Sequence, residues 1–169
     1  MLFQDEARFG RINDPSRCWA PKGNRPVVRK QIVREYTYVY GAISPFDGDA
    51  CYLILPSMDA VCMNIYLKEL STIYKDHFLL IVWDGAPCHS KGALDIPDNI
   101  MVAELPPCSP QLNPAENNWD DMREKFFTNL VFESMDAVEI KLIEACKFYE
   151  KNTQVIKSMA GWKWIIGSD

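Results

Sequence analysis

Phe78-Leu79-Leu80-Ile81-Val82-Trp83-Asp84-Gly85-Ala86-Pro87-Cys88-His89 is the stretch that decides the fold. Six apolar residues run without a break, as in a strand covered on both faces, and then stop on an acid followed by turn residues. In open α/β sheets, sites form at the carboxyl ends of such strands, which is where Asp84 falls. Just upstream, Ser57 offers an N-cap for a helix reaching about Lys75. Its Cys62, Met63, Tyr66, Leu67, Leu70, Ile73 and Tyr74 keep the 3.6-residue period. A strand, a helix and a second strand in this order predict a parallel, right-handed crossover. Further upstream, Tyr36 to Ile43 and Ala50 to Leu55 flank the turn Pro45-Phe46-Asp47-Gly48-Asp49 and read as a β-hairpin. With a short strand at Leu2 to Glu6 they make an antiparallel set of three.

Downstream, Ile100 to Glu104 is a further strand, and Leu105 to Leu112 is a proline-rich loop. Asn113 at N-cap, Pro114 at N1 and Glu116 at N3 are start signals for a helix whose apolar face is Trp119, Met122, Phe126 and Leu130. Met135 to about Lys151 is a second amphipathic helix, with Val138, Leu142, Cys146 and Tyr149 also inward. The Trp162-Lys163-Trp164-Ile165-Ile166 tail is too apolar to stand in water and packs on the domain or on a partner. The predicted class is α/β. A mixed central sheet, three antiparallel strands and then parallel ones, is flanked by helices in one domain over residues 1–152. A loop over 10–30 is inserted between the first two strands, and 153–169 form a C-terminal tail.

The composition is that of a globular protein: 169 residues, 48% hydrophobic and 24% charged. No apolar run approaches the ~20 residues of a membrane span and no secretory signal opens the chain, so the expected location is the cytoplasm. The six cysteines have no zinc-ligand spacing and read as reduced thiols. Net charge is −5, but residues 8–34 hold eight basic residues against the single acid Asp14; that +7 leaves −12 elsewhere. A basic arm beside an acidic centre suits a phosphate backbone.

Three acids stand at element ends or on a short apolar strand: Asp5, Asp84 and Glu116. Converging carboxylates bind hard divalent cations, which serve phosphodiester chemistry. Each acid also has an ordinary reading. Asp84 suits a turn before Gly85, and Glu116 suits a capping box with Asn113. Glu6 rivals Asp5, since neighbouring residues on a strand face opposite ways and only one of the two can join a site.

Three segments carry a resemblance: Phe3-Gln4-Asp5-Glu6-Ala7, Trp83-Asp84-Gly85-Ala86-Pro87-Cys88-His89, and Pro106-Pro107-Cys108-Ser109-Pro110-Gln111-Leu112-Asn113-Pro114-Ala115-Glu116-Asn117-Asn118-Trp119. With 31 residues between Asp84 and Glu116, the chain resembles the DDE transposases of the mariner-like superfamily, in particular those of bacterial insertion sequences. The resemblance implies a ribonuclease H-like fold and a catalytic, metal-binding triad of Asp5, Asp84 and Glu116, choosing Asp5 over Glu6. It also implies two Mg²⁺ or Mn²⁺ ions, and cleavage and strand transfer on DNA. The implied partners are transposon-end and target DNA and a second copy of the chain in a synaptic complex. Full-length relatives carry N-terminal helix-turn-helix modules; this chain opens at its first catalytic strand and is expected to represent the catalytic part alone.

The candidate DNA contacts are Arg8, Arg11, Arg17, Trp19, Lys22, Arg25, His89, Asn113 and Asn117. By the resemblance, the loop holding Trp19-Ala20-Pro21-Lys22-Gly23 is similar to a clamp that touches DNA or a partner subunit. Two other readings stay open: a ribonuclease H-like nuclease on another nucleic acid, and an inactive remnant that binds DNA or dimerises. Gly-x-Ser-x-Gly and a glycine-rich phosphate loop ending in Lys-Ser/Thr are both absent, which excludes nucleophile-elbow hydrolases and P-loop nucleotide hydrolases.

Overall fold

The computed structural model describes residues 1–13, 15–85, 94–107 and 109–167. The chain runs β1 (Leu2–Ile12), β2 (Ile32–Ile43), β3 (Ala50–Leu55), α1 (Ala60–Ile73), β4 (Leu79–Trp83), β5 (Ile100–Glu104), α2 (Ala115–Met122), α3 (Met135–Lys151), α4 (Thr153–Ala160) and α5 (Lys163–Ile166). The strands form one sheet in the order β3-β2-β1-β4-β5. β1 and β3 both pair antiparallel with β2, while β4 pairs parallel with β1 and with β5. The mixed sheet predicted from sequence is therefore present, with β1 at its centre.

The pleat of β1 sorts the core into two layers. Leu2 lies with Tyr40, Ala42, Ile81 and Trp83 under the apolar face of α1, from which Cys62, Met63, Tyr66, Leu67 and Leu70 point inward. Phe3, Ala7 and Phe9 lie on the opposite face, against Trp119 and Met122 of α2, Val138 and Leu142 of α3, and Ile156 and Ala160 of α4. Residues 153–169, expected as a tail, thus supply two helices to this layer, and Trp164 meets Phe3 edge-on at 6.5 Å.

Several boundaries differ from the sequence expectation. β1 continues past Glu6 to Ile12, because Arg8, Phe9, Gly10 and Ile12 still find partners on β2. The inserted loop therefore spans 13–31 rather than 10–30. The N-cap of α1 is Asp59, two residues after the expected Ser57, since Asp59 accepts from the Cys62 N–H at 2.9 Å and Ser57 donates to Asp59 instead. The helix after Asn113 does not stay regular to Leu130. It widens into a π turn over Arg123–Phe127, and Asn129 takes a left-handed φ of 60° that ends it. Phe126 and Phe127 of the π turn both pack against the core. Among the described residues no helix is long and apolar enough to cross a membrane.

The β2–β3 turn is locked to the α3–α4 junction through Gly48. Its φ is +80°, and a Cβ there would stand 2.1 Å from the Thr153 carbonyl oxygen. Gly48→Ala is expected to lower stability by about 2 kcal/mol or more, seen as a lower denaturation midpoint in thermal or urea melts.

Candidate functional site

The β1–β4 pairing sets the site. Leu2 lies beside Ile81 and Phe3 beside Val82, in parallel. Asp5 stands two residues past Phe3 on β1, and Asp84 two residues past Val82, just beyond the end of β4. Both then share the face of Phe3 and Val82, the face covered by α2. Glu6 points the other way and accepts a 2.8 Å hydrogen bond from the Gln4 side chain. The pleat thus separates the two rival acids.

Glu116 enters from the first turn of α2, above the same face. The start of this helix is pinned to β1 by Asn113. Its side-chain N–H donates to the Gln4 carbonyl at 3.0 Å, and its side-chain oxygen accepts from Ala115 N–H at 3.1 Å. Asn113 is 3% exposed, so its amide is spent inside the chain on capping and stapling. The capping box does not close, because the Asn113 N–H donates to the Pro110 carbonyl at 2.9 Å. That leaves the Glu116 carboxylate with no capping duty.

One turn beyond Glu116, Trp119 donates its indole Nε1–H to Asp5 Oδ2 at 2.9 Å. Sequence reading saw Trp119 only as part of an apolar face. The available signal was its spacing, since residues three apart on a helix share a face. Asp5 is 8% exposed. Burial, with the charges of Glu116 and then Glu6 adding to it, pushes its carboxyl up to about 8. Glu116 is also raised above the usual carboxylate range, first by partial burial and then by Asp120 and Asp84, with Arg123 opposing. The three acids therefore feel one another in a chain from Asp5 to Glu116 to Asp84. Among the described residues, no three His, Cys, Asp or Glu side chains are gathered closely enough to form a ready-made metal cage.

A groove of about 580 Å³ lies along the far half of β1, walled by the end of α2 and by residues 128–132. Arg8, Arg11, Arg17 and Arg123 line it, opposed by Asp120 and Glu124. Arg11 is partly committed, bonding Glu35 at 2.7 Å and the Phe132 carbonyl at 3.0 Å, and Arg8 lies 4.5 Å over the Tyr36 ring. Arg123, unnoticed in the sequence, follows directly on α2 at the start of the π turn, lines the groove and acts electrostatically on Glu116. Among the described residues the inserted loop is fastened at its base: Asn13 bonds Arg29 and Leu130 carbonyls, and Asn129 exchanges hydrogen bonds with Ser16. Further out, Arg17, Trp19, Lys22 and Arg25 are exposed, Trp19 fully so. Asn117 is exposed and reaches the Met159 carbonyl at 3.5 Å. His89 lies outside the described residues.

Comparison with known proteins follows this geometry. A curated relative, the uncharacterized protein y4pE/y4sA of Sinorhizobium fredii (strain NBRC 101917 / NGR234), is 38% identical over 105 residues, covering 61% of this chain and 77% of its own length. Among solved structures, a pre-cleavage Mos1 transpososome matches with a TM-score of 0.65 at 16% identity, covering 94% of this chain and 53% of the transposase chain. A Mos1 mariner paired end complex with Mn matches with a TM-score of 0.60 at 17% identity, covering 93% and 52%. The chain thus spans about half the length of those transposase chains and shares their ribonuclease H-like fold. The family of DDE superfamily endonucleases matches residues 1–139, a span that holds all five strands, the three acids and the helix that carries Glu116, and the chain belongs to that family.

Proposed function

We propose that the chain is the catalytic domain of a transposase that cleaves DNA strands and transfers them, with Asp5, Asp84 and Glu116 as its catalytic acids. The observation that carries this reading is the parallel register of β1 and β4. Continued past its last paired residues, that register would carry Asp5 and Asp84 onto the face from which α2 presents Glu116. Neighbouring strands in a sheet are about 4.8 Å apart, so carboxylates carried at adjacent strand ends would be donors to a common site.

The residues fit such a group. The donors are all carboxylate oxygens, which suit hard cations of the Mg²⁺ and Mn²⁺ kind. Asp5 is buried among like charges, an arrangement that a positive charge relieves. Asp5, Asp84 and Glu116 are the residues that hold the ions in this reading. Bound there, divalent ions would supply activation of the attacking oxygen and charge stabilisation for the departing one. The chain's own contribution is positional: the sheet fixes Asp5 and Asp84, and the Asn113 staple fixes the height of Glu116 over them. The arginine groove and the basic loop hold the phosphate backbone that leads to the acids, with Arg8, Arg11, Arg17, Trp19, Lys22 and Arg25 as contacts. DNA ends and target DNA are the substrates, a second copy of the chain is the partner, and the nucleoid is the place of action.

Asp84→Asn is expected to reduce Mg²⁺-dependent nicking of supercoiled DNA by about 10³-fold while leaving the circular dichroism spectrum unchanged. Nicking that persists in this variant removes Asp84 from the mechanism. An RNA–DNA hybrid run in parallel tests the substrate class, since preferential hybrid cleavage points to a different nuclease.

The raised Asp5 carboxyl has a pH signature. Folded Asp5 titrates near 8 and an unfolded aspartate near 3.8, so between these values the native state holds a proton that the unfolded state has lost. Its contribution to stability is therefore lost as pH rises from about 4 to about 8. Asn at position 5 keeps an acceptor for Trp119 and carries no charge. Asp5→Asn should thus stabilise the metal-free protein by a few kcal/mol at pH 8 and by little at pH 4, in melts run with chelator.

Loss of phosphate contacts is read from salt dependence. Replacing Arg8 and Arg17 together with alanine should lower the slope of log affinity against log salt by about 2 for duplex DNA, measured by fluorescence anisotropy. An unchanged slope takes the backbone away from the groove.

A further inference from the structure

We infer that Trp119 is a positioning residue for the metal-binding carboxylate of Asp5, acting through its indole N–H, and that Gly41 is the vacancy that lets it reach. This rests on the reading of Asp5 as a metal ligand. Three residues from different elements meet at one point of the sheet. Asp5 on β1 pairs with Gly41 on β2. A side chain at position 41 would collide with the Trp119 ring, its Cβ lying 2.5 Å from one ring carbon and 2.8 Å from the next. The ring therefore lies over the bare backbone directly beside Asp5, and from there its Nε1–H reaches Oδ2 at 2.9 Å. Tyr52 and Phe9 close the slot, with ring centroids 5.9 and 6.4 Å from that of Trp119. Trp119 is 1% exposed, so the donor has no freedom to swing away.

The chemistry explains the choice of donor. The terminal torsion of an aspartate is broad, so a carboxylate needs an outside partner to fix its plane. Arginine or lysine would fix it and also neutralise it, competing with a cation for the same charge. An indole is a donor without charge and without an acceptor, so it orients the carboxylate and leaves its negative charge in place. A buried tryptophan needs some acceptor for its N–H, and a backbone carbonyl would satisfy that need alone. Here the acceptor is the one buried acid of the site, reached across 114 residues of sequence. Hydrogen-bond partners that hold metal ligands in this way typically govern metal affinity by about 10- to 100-fold.

The test is Mn²⁺ binding to the full chain, followed by electron paramagnetic resonance and by broadening of the tryptophan indole N–H signals in nuclear magnetic resonance. In the native chain Mn²⁺ should broaden the Trp119 indole signal. Trp119→Phe should weaken Mn²⁺ binding by about tenfold, and benzothienylalanine in place of Trp119 should do the same. The latter keeps the shape of the ring and exchanges only the N–H for sulfur, so it separates the hydrogen bond from packing. Tyr52→Phe, which keeps the ring on Trp119 and removes only the neighbouring hydroxyl bond to Asn118, should leave Mn²⁺ affinity unchanged. In an Asp5→Asn background, Trp119→Phe should cause no further loss of affinity, the sign of coupling between the two. Unaltered Mn²⁺ affinity in both Trp119 replacements overturns this inference alone. Absence of Mn²⁺ binding in the native chain overturns it together with the assignment of Asp5 as a ligand.

Discussion

A sheet has two faces, and the register between β1 and β4 decides what each face carries. With Leu2 beside Ile81 and Phe3 beside Val82, the alternation of both strands is in phase, so Leu2, Ile81 and Trp83 lie under α1 while Phe3 and Val82 face α2. A slip of one residue would turn Asp84 toward α1 while Asp5 stayed under α2. The hydrophobic pattern forbids that slip, because it would also drive Ile81 and Trp83 out of the α1 layer. The geometry of the acids is thus protected by the burial of the residues between them, and the same apolar contacts that hold the fold hold the site.

The helix that completes the arrangement depends on polar contacts more than on its own propensity. α2 is short and has few apolar residues beyond Ala115, Trp119 and Met122. Short helices are marginal alone, and their stability comes from docking. Asn113 supplies a cap and a tether in one side chain, and Trp119 supplies bulk and a hydrogen bond. Both tie α2 to β1 within one residue of Asp5. Displacing the helix would therefore expose a buried amide, a buried indole N–H and a buried acid at the same time.

Local signals made much of this legible in the sequence. Asn113, Pro114 and Glu116 announce the start of α2 through chain neighbours alone, and the apolar run ending on Asp84 announces a strand and its end. The hairpin between Tyr36 and Leu55 is equally local. What escaped the sequence depends on distant partners. Gly41 looks like any residue of a strand until Trp119 lies across it, and Asp59 displaces Ser57 as the cap through competition between two adequate residues. The π turn over Arg123–Phe127 leaves no signature in the periodicity of the sequence. The choice of Asp5 over Glu6 was ambiguous for a similar reason: strand alternation separates the two but cannot say which face the helix covers.

The inserted loop has a different character from the rest. Its base is secured by the side chains of Asn13, Gln31 and Asn129, and its outer residues rest on nothing else among the described residues. Residues that support no packing are constrained only by what they touch in a partner. The loop can therefore change in length and charge without disturbing the acids behind it. The loop and the acids are mechanically uncoupled in this domain, so the sequence of one can vary while that of the other is held.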